Sequence, residues 1–194
     1  MARRTDTRLR VLQTAAHLFR SQGYHGTGLN QVLAEGGAPK GSLYFHFPGG
    51  KEQLAVEAVE LGGRRLCETI TGLLASAPDV ASGVDSVVTA LANDLERSGF
   101  RHGCPVGPIA QDTVDNEAIQ RACAAAFASW HATVERALRA GGVPARAASD
   151  LATMVLAAVE GAQLLARSQK DATPLRSVGA QLRELVRSHL PEGR

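Results

Sequence analysis

The chain has 194 residues, of which 44% are hydrophobic and 4% aromatic, so it can bury a sizeable core and its composition favours helix over sheet. Its three cysteines, Cys67, Cys104 and Cys123, match no zinc-binding spacing, and a polar N-terminus without a long apolar run argues against a signal peptide and a membrane span. The net charge is only +2, but residues 1–51 carry seven basic and two acidic side chains, whereas residues 52–194 carry fourteen and seventeen. We therefore expect a cytoplasmic protein whose basic N-terminal part binds a polyanion.

Three helices are predicted in the N-terminal part. The spacing of apolar residues predicts the first over residues 7–22. The second begins after Thr27, a favourable N-terminal cap, and ends at the turn Gly36-Gly37. Pro39 suits the first position of a third helix that ends near Phe47, because its missing N–H would be unpaired there anyway.

A larger helical domain is predicted to follow. We assign residues 1–50 to a three-helix domain and residues 51–194 to a six-helix domain, which gives an all-α protein of about nine helices. Glycine and proline clusters separate the helices of the larger domain, and no strand pattern is present. These helices are predicted over about residues 51–74, 84–98, 109–114, 116–140, 145–169 and 174–190.

Residues 27–47 have the pattern of a helix-turn-helix, two short helices joined by a glycine turn. In this motif the N-terminal residues of the second helix reach base edges in the DNA major groove. Lys40 can donate to guanine or phosphate, Gly41 lets the backbone approach closely, and Ser42 can donate or accept. A packing corner between two helices is the structural alternative for such a turn.

Further basic and hydroxyl groups surround this element. Tyr44 and His46 suit phosphate contacts, and Lys51 together with the backbone N–H groups that open the next helix forms a phosphate clamp. Arg3 and Arg4, ahead of the first helix, are placed to act as a flexible arm on the DNA backbone or minor groove. The apolar residues of the element are instead expected in the domain core: Leu43, Phe45 and Phe47.

These motifs resemble the N-terminal domain of the TetR family over about residues 8–55. The matching residues are Phe19, Gly23-Tyr24, Thr27, the stretch Gly36–Phe47 (GGAPKGSLYFHF) and Lys51–Leu54 (KEQL). The resemblance implies a homodimeric bacterial regulator, usually a repressor, which a small ligand bound in the C-terminal domain releases from DNA. It also implies a set of DNA-contacting residues: Thr27, Lys40, Gly41, Ser42, Tyr44, His46 and Lys51.

The chain departs from the family pattern at a few positions of this motif. Ala38 stands where the family often has valine, and Pro39 where it often has serine or threonine. Gly28 and Asn30 replace more usual polar or charged types. Pro39 removes a hydroxyl that could contact phosphate, so it is not assigned to the contact set.

The segment Phe100–Ala110, with its Gly-Cys-Pro sequence, resembles that of the lincomycin- and flavonoid-responsive repressors of the family. Prolines and glycines make it irregular, so a pocket mouth or hinge can form there. Eight residues are candidates to bind a small, largely apolar inducer, although core packing explains each one taken singly. They are Phe100, Cys104, Ile109, Phe127, Trp130, Val134, Met154 and Glu160.

The last two predicted helices carry apolar stripes and small residues that allow close helix approach. We expect a two-fold dimer in which these helices form a four-helix bundle, so that two heads meet successive major grooves of a near-palindromic operator. The candidate interface residues are Ala157, Gly161, Leu164, Leu175, Val178, Leu182 and Leu185.

Two alternatives remain open at the level of sequence. An enzyme could use His102 and Cys104, or Cys123 and His131, but a Cys–His nucleophile also requires an orienting group, and these four residues have no metal-ligand spacing. A helical adaptor that binds protein is the second alternative. Affinity that falls steeply with salt would favour the DNA regulator. No catalytic residue, metal site or cofactor is predicted.

Overall fold

The computed structural model describes residues 2–191, with residues 2–5 described by their backbone alone. Over this part of the chain the structure has nine α-helices and no strand, which confirms the predicted all-α class. The helices are α1 (Ala2–Gln22), α2 (Leu29–Glu35), α3 (Leu43–His46), α4 (Gly50–Ser76), α5 (Val80–Arg97), α6 (Gly107–Asp112), α7 (Glu117–Ala140), α8 (Ala145–Gln169) and α9 (Thr173–Arg187). A 3₁₀ turn, Lys40–Ser42, directly precedes α3.

The N-terminal helices differ at their ends from the predicted ones. α1 begins at Ala2, so Arg3 and Arg4 belong to its first turn and do not form an arm that precedes it. Gly28, not Thr27, occupies the cap position of α2. The predicted third helix divides into the 3₁₀ turn and the four-residue α3. Arginine is a good helix former, which explains why the helix extends through that basic segment.

The chain forms two compact units. The head unit comprises the chain up to Arg64 together with Cys104–Ala126, and the body unit comprises Arg65–Gly103 and the chain from Phe127 onward. The domain boundary predicted at residue 50 therefore falls within the head unit. The reason is that apolar residues of α4, α6 and α7 complete the core around α1.

The head unit has a continuous apolar core. Its fully or almost fully buried apolar side chains include Val11, Phe19, Val32, Leu43, Phe47, Leu54, Val59, Val106, Ile109 and Ile119, each at most 2% exposed. A polar contact also joins α6 to the turn after α1, because the Asp112 backbone carbonyl lies 2.7 Å from His25 Nε2. Asp112 Oδ2 accepts the His25 backbone N–H at 3.3 Å.

In the body unit α9 packs closely on α5. A Cβ on Gly179 would lie only 3.1 Å from Val88 Cγ1, so the missing side chain permits this approach. Leu175 and Leu182 of α9 are buried at 0% and 4% exposure. α5 begins at an Asp79 cap, whose Oδ1 accepts the Ser82 N–H at 2.7 Å.

α8 is the one described helix that is long and apolar enough to cross a membrane by length and composition, although the sequence indicated no such run. Its apolar content has a different use in this structure. Leu151, Val155, Val159 and Ala166 form a stripe, at most 7% exposed, that packs inside the body unit. A second apolar face of α8, which includes Leu164 and Leu165, is exposed.

We expect the substitution Phe47→Ala to lower the free energy of unfolding by about 3–5 kcal/mol, because Phe47 is fully buried in the head core. The neighbouring substitution Phe45→Ala is the matched control. Phe45 is 60% exposed, so its loss should change stability by no more than about 0.5 kcal/mol. Urea unfolding followed by circular dichroism measures both, and equal effects would contradict the assigned burial.

Candidate nucleic-acid interface and ligand cavity

A glycine turn sets the direction of the segment that follows α2. Gly37 has φ +62°, a left-handed conformation that glycine adopts at low cost. The Ala38 N–H donates to the Leu33 carbonyl at 2.9 Å and the Gly37 N–H to the Ala34 carbonyl at 3.2 Å. This pair of bonds is a Schellman motif, which ends α2 and leads the chain into the 3₁₀ turn.

Two apolar residues hold the 3₁₀ turn and α3 against the head core. Leu43 is 2% exposed and Phe47 is fully buried. The guanidinium carbon of Arg8 lies 4.7 Å from the centre of the Phe47 ring, and its Nη2 is 2.7 Å from both carboxylate oxygens of Glu57. The opposite face of the segment is thereby fixed toward solvent.

That outer face carries five of the predicted DNA-contacting residues. Lys40 and Gly41 are exposed, Ser42 and His46 are half-buried, and Tyr44 is 65% exposed. The Ser42 hydroxyl donates to the Pro39 carbonyl at 2.7 Å, so its oxygen is left as an acceptor. Basic, hydroxyl and aromatic groups thus share one accessible surface, which we name the α3 face.

Gly41 is not required by the fold itself. A Cβ built on it would meet no atom within 4 Å, and its φ is not in the left-handed region. The position is therefore free to be approached by another molecule.

Lys51 lies at the start of α4 and is held by aromatic contact. Its Nζ is 4.4 Å from the centre of the Tyr24 ring, and Tyr24 in turn stacks on Phe19 at 5.8 Å. Partial burial lowers the pKa of Lys51, and the nearby Asp112 carboxylate opposes that shift. The aromatic contact therefore restrains a cationic side chain in the first turn of a long helix.

The structure contradicts one predicted contact and adds an unpredicted exposed residue. Thr27 is 1% exposed and its hydroxyl donates to the Gly23 carbonyl at 2.8 Å, so it neither caps α2 nor faces a partner. Phe45, predicted in the core, is exposed and its ring lies 5.0 Å from that of His46. The side chains of Arg3 and Arg4 lie outside the described residues.

A separate cavity of about 30 Å³ lies in the core of the body unit. Three of the eight predicted ligand-binding residues line it, namely Trp130, Val134 and Glu160. The remaining lining residues are Leu66, Ile70, Leu74, Val84, Val87, Val88, Leu91, Val155, Leu156, Val159 and Gln163. A volume of this size accommodates about one water molecule, so a drug-sized ligand would have to displace side chains.

The other predicted ligand-binding residues lie elsewhere. Phe127 supports the cavity indirectly, because its ring packs edge-on against Trp130 at 5.2 Å. Met154 is 53% exposed on the outer side of α8. Cys104 and Ile109 are buried in the head unit, and Phe100 follows α5 with a left-handed φ of +61°. The sequence did not separate them because the segment after α5 passes from one unit to the other.

Sequence reasoning missed most of the cavity wall. Gln163 is the clearest omission, because it is only 5% exposed on an otherwise apolar helix face. Its spacing of three residues from Glu160 places both on adjacent turns of α8. That spacing was the available signal for a polar pair within an apolar cavity.

The predicted dimer residues divide between core and surface. Leu175 and Leu182 are buried within the body unit, so the structure contradicts their assignment to an interface. Val178 and Leu185 are half-buried. The predicted residues of α8 are exposed and continue into further apolar neighbours. We name this set the α8 stripe: Met154, Ala157, Gly161, Leu164 and Leu165.

The residues considered for catalysis or metal binding have structural roles. Cys104 Sγ accepts the Gly107 N–H at 3.2 Å, and His131 Nε2 lies 3.1 Å from the Ser149 carbonyl oxygen. Burial raises the pKa of Cys123 to about 11, which keeps it a protonated thiol. Within the described part of the chain, no group of three or more His, Cys, Asp or Glu residues could hold a metal ion.

Both parts of this chain match models of known protein families. Residues 11–58 match the family model of bacterial regulatory proteins of the tetR family, and residues 80–181 match the LmrA/YxaF-like transcriptional regulator C-terminal domain. This chain belongs to the TetR family. The two matches lie in both parts of the chain, and the second spans the Gly-Cys-Pro segment.

Individual relatives agree with the family models. The HTH-type transcriptional regulator LmrA of Bacillus subtilis is 38% identical over 183 residues, which cover 94% of this chain and 97% of the relative. A TetR transcriptional regulator from Chloroflexus aurantiacus is 30% identical with a TM-score of 0.85, covering 97% and 98% of the two chains. A cysteine mutant of the TetR family regulator CifR, complexed with 26-bp operator DNA, shares the fold at 22% identity, a TM-score of 0.78 and coverages of 90% and 93%. The chain is thus a DNA-binding transcriptional regulator of this family.

We predict that Gly41→Ala weakens operator binding without loss of stability, because the added methyl group meets nothing in the protein but would meet DNA at close approach. Gly72→Ala is the matched control, since its methyl group is equally unobstructed on the exposed side of α4. Both substitutions should preserve or slightly raise the melting temperature. Unchanged DNA affinity of the Gly41 variant would show that the backbone does not approach DNA there.

Proposed function

We propose that the protein is a cytoplasmic, homodimeric repressor that binds a near-palindromic operator through the α3 face and is released by a small, largely apolar ligand in the body unit. The observation that carries the proposal is the α3 face itself. Its polar side chains point outward because Leu43 and Phe47 anchor the inner side of the same short segment.

In the proposed complex the α3 face enters the major groove. Lys40, whose side chain is exposed, donates to a guanine edge or to phosphate. Ser42 accepts through its free lone pairs, for example from a base amino group. Tyr44 and His46 reach phosphate oxygens at the sides of the groove.

The start of α4 is proposed to hold an adjacent phosphate. Lys51 supplies charge and the first N–H groups of the helix supply hydrogen-bond donors, a combination that suits an anion. The cation–π contact with Tyr24 restrains the lysine side chain before DNA arrives. Less conformational entropy is then lost on binding.

A homodimer is proposed because the α8 stripe leaves a continuous apolar surface on one helix. Leu164 is 63% exposed, Met154 53% and Leu165 51%. These residues lie on one face of the helix and so form a patch, whereas single exposed apolar residues scattered over a surface are ordinary. Gly161 lies in the middle of the stripe, and a methyl group placed on it would meet no atom within 4 Å, so a helix of a second copy can approach closely.

Ligand release is proposed to act through the body cavity. Trp130, Glu160 and Gln163 give an otherwise apolar cavity a small number of polar groups that can orient a ligand. Because the cavity holds about 30 Å³, ligand entry would separate its walls. The segment after α5 leads directly to α6, whose Asp112 contacts His25 in the head unit, which gives a route to the DNA-binding element.

An enzymatic role has no support of comparable weight. The candidate thiols are buried, and burial raises the pKa of Cys123 away from the reactive range. A protein-binding adaptor would leave the excess of basic residues in positions 1–51 unexplained. The salt dependence of binding separates the adaptor from the DNA regulator.

The decisive experiment measures fluorescence anisotropy of labelled DNA from directly upstream of the gene, at two salt concentrations. We expect tight binding that weakens steeply with salt. Lys40→Ala should cost about 1–3 kcal/mol and alter sequence preference if Lys40 reads a base, whereas Tyr44→Ala should weaken specific and non-specific DNA alike.

The control for these two variants is Lys170→Ala, which removes an exposed cation from the end of α8 in the body unit. If it weakens binding as much as Lys40→Ala, the effect is one of net charge and not of the α3 face. If the protein does not bind the upstream DNA, DNA that it binds is selected from a pool of random sequences. Absence of any selected sequence would reject the proposed function.

The dimer is tested by Leu164→Glu, which places a charge in the middle of the α8 stripe and should yield monomers at micromolar concentration in analytical ultracentrifugation. Val114→Glu is the matched control, because Val114 is 72% exposed in the head unit and outside the stripe. A wild-type monomer at the same concentration, or a Leu164 variant that remains dimeric, would contradict the proposed interface.

A further inference from the structure

A second, larger concavity lies on the surface of the body unit. It has a volume of about 690 Å³, within the range of small-molecule sites, whereas the core cavity has about 30 Å³. We name it the α4–α7 groove. Its walls come from α4, the turn before α5, and α7, and none of the residues predicted to bind ligand lines it.

The polar groups of the groove are concentrated around Cys67. Cys67 Sγ lies 3.4 Å from Ser129 Oγ and 3.3 Å from Thr133 Oγ1. The Thr133 hydroxyl donates to the Ser129 carbonyl at 2.9 Å, and the Thr71 hydroxyl donates to the Cys67 carbonyl at 2.8 Å. These threonine protons are used within the helices, so both oxygens face the groove only as acceptors.

Arg136 supplies the strong donors of the groove. Its guanidinium is exposed, and its one hydrogen bond to another described residue joins Nη2 to Thr133 Oγ1 at the long distance of 3.4 Å. Most of its five N–H groups are therefore available, in a planar arrangement that matches a carboxylate.

One carboxylate of the protein, that of Asp79, also borders the groove. Both oxygens of Asp79 accept from Ser82, at 2.7 Å and 2.9 Å. These two bonds hold the pKa of Asp79 below its usual range, and the charges of Arg187 and Arg183 contribute in the same direction. The lowered pKa keeps Asp79 ionised at neutral pH, so the acidic group of a ligand is expected at Arg136 and not beside Asp79.

The other end of the groove is apolar. Leu74, Val80, Ala137 and Ala140 line it, and the end of α7 packs so closely on Val80 that a Cβ on Gly141 would lie within 2.9 Å of the Val80 Cβ. The groove therefore combines a cationic, hydroxyl-lined part with an apolar part. This is the pattern expected for a ligand with an acidic group and a hydrocarbon body.

We propose that the α4–α7 groove is a second small-molecule site, which binds an amphipathic monocarboxylate with its acid group on Arg136 and its apolar body along Leu74, Val80 and Ala137. The groove opens at the surface and shares only Leu74 with the lining of the core cavity, and its occupation does not depend on DNA binding. A failure to bind DNA would leave it unaffected.

Cys67 provides a direct readout of the groove. Cys104 and Cys123 are buried, whereas Cys67 is partly accessible, so iodoacetamide should modify Cys67 first. Peptide mass spectrometry measures the rate at which each cysteine of the full-length protein is alkylated. The rate is measured at increasing concentrations of decanoate, all below its critical micelle concentration. Each variant is compared with its own rate without decanoate.

We expect decanoate to slow alkylation of Cys67 in the wild type. Arg136→Gln should require at least about tenfold more decanoate, because the charge-assisted hydrogen bonds are lost. Arg139→Gln is the matched control, one turn further along α7 and outside the groove, and should behave as the wild type. Decanol should protect at least about tenfold less well than decanoate, and decylammonium not at all.

Three results would overturn the proposal. They are equal protection in the Arg136 and Arg139 variants, equal protection by decylammonium, and a change in Trp130 fluorescence over the same decanoate range in the wild type and the Arg136 variant. The last would place decanoate in the core cavity, where Trp130 is 1% exposed. Thermal unfolding of both variants checks that they are folded at the temperature of the assay.

Discussion

The burial of Leu43 and Phe47 is the constraint on which the α3 face depends. α3 has four residues, far fewer than an isolated helix needs to be stable in water, so its geometry cannot come from its own hydrogen bonds. Phe47 is enclosed by the head core, and Arg8 holds its ring while pairing with Glu57 of α4. Because the inner residues are fixed, the outer residues of the same turn are presented in one orientation.

The head unit extends this principle beyond the helix-turn-helix. The first part of α4, α6 and the first part of α7 supply apolar residues to the same core, and the contact between Asp112 and His25 fastens α6 to the turn after α1. The ligand release that we propose requires the α3 face to respond to events elsewhere in the chain. The core shared by α3 and α6 offers a physical basis for it, because a shift of α6 would disturb packing around the segment that carries the α3 face.

Helix α8 of the body unit carries apolar residues on two of its sides. α8 buries Leu151, Val155 and Val159 within the unit and exposes the α8 stripe on its outer side, which explains why its composition alone resembles that of a membrane-spanning helix. Glycines have different roles inside the unit and on its surface. Gly179 allows α9 to approach α5 within the unit, whereas Gly161 leaves an open position on the surface. The same unit holds a nearly closed core cavity and an open surface groove, two spaces of different character.

The sequence by itself determined the all-α class, the helix-turn-helix and its family, because helical periodicity, glycine turns and the motif around Lys40 are local features. It also identified Lys40, Gly41, Ser42, Tyr44 and His46, which the structure places on one accessible face. Only the tertiary structure decided which side chains are buried. It turned Thr27 inward, left Phe45 exposed, buried Leu175 and Leu182, and separated Cys104 and Ile109 from the body cavity. These outcomes depend on contacts between residues distant in sequence, and local patterns carry no information about which of two apolar faces a neighbouring helix will cover.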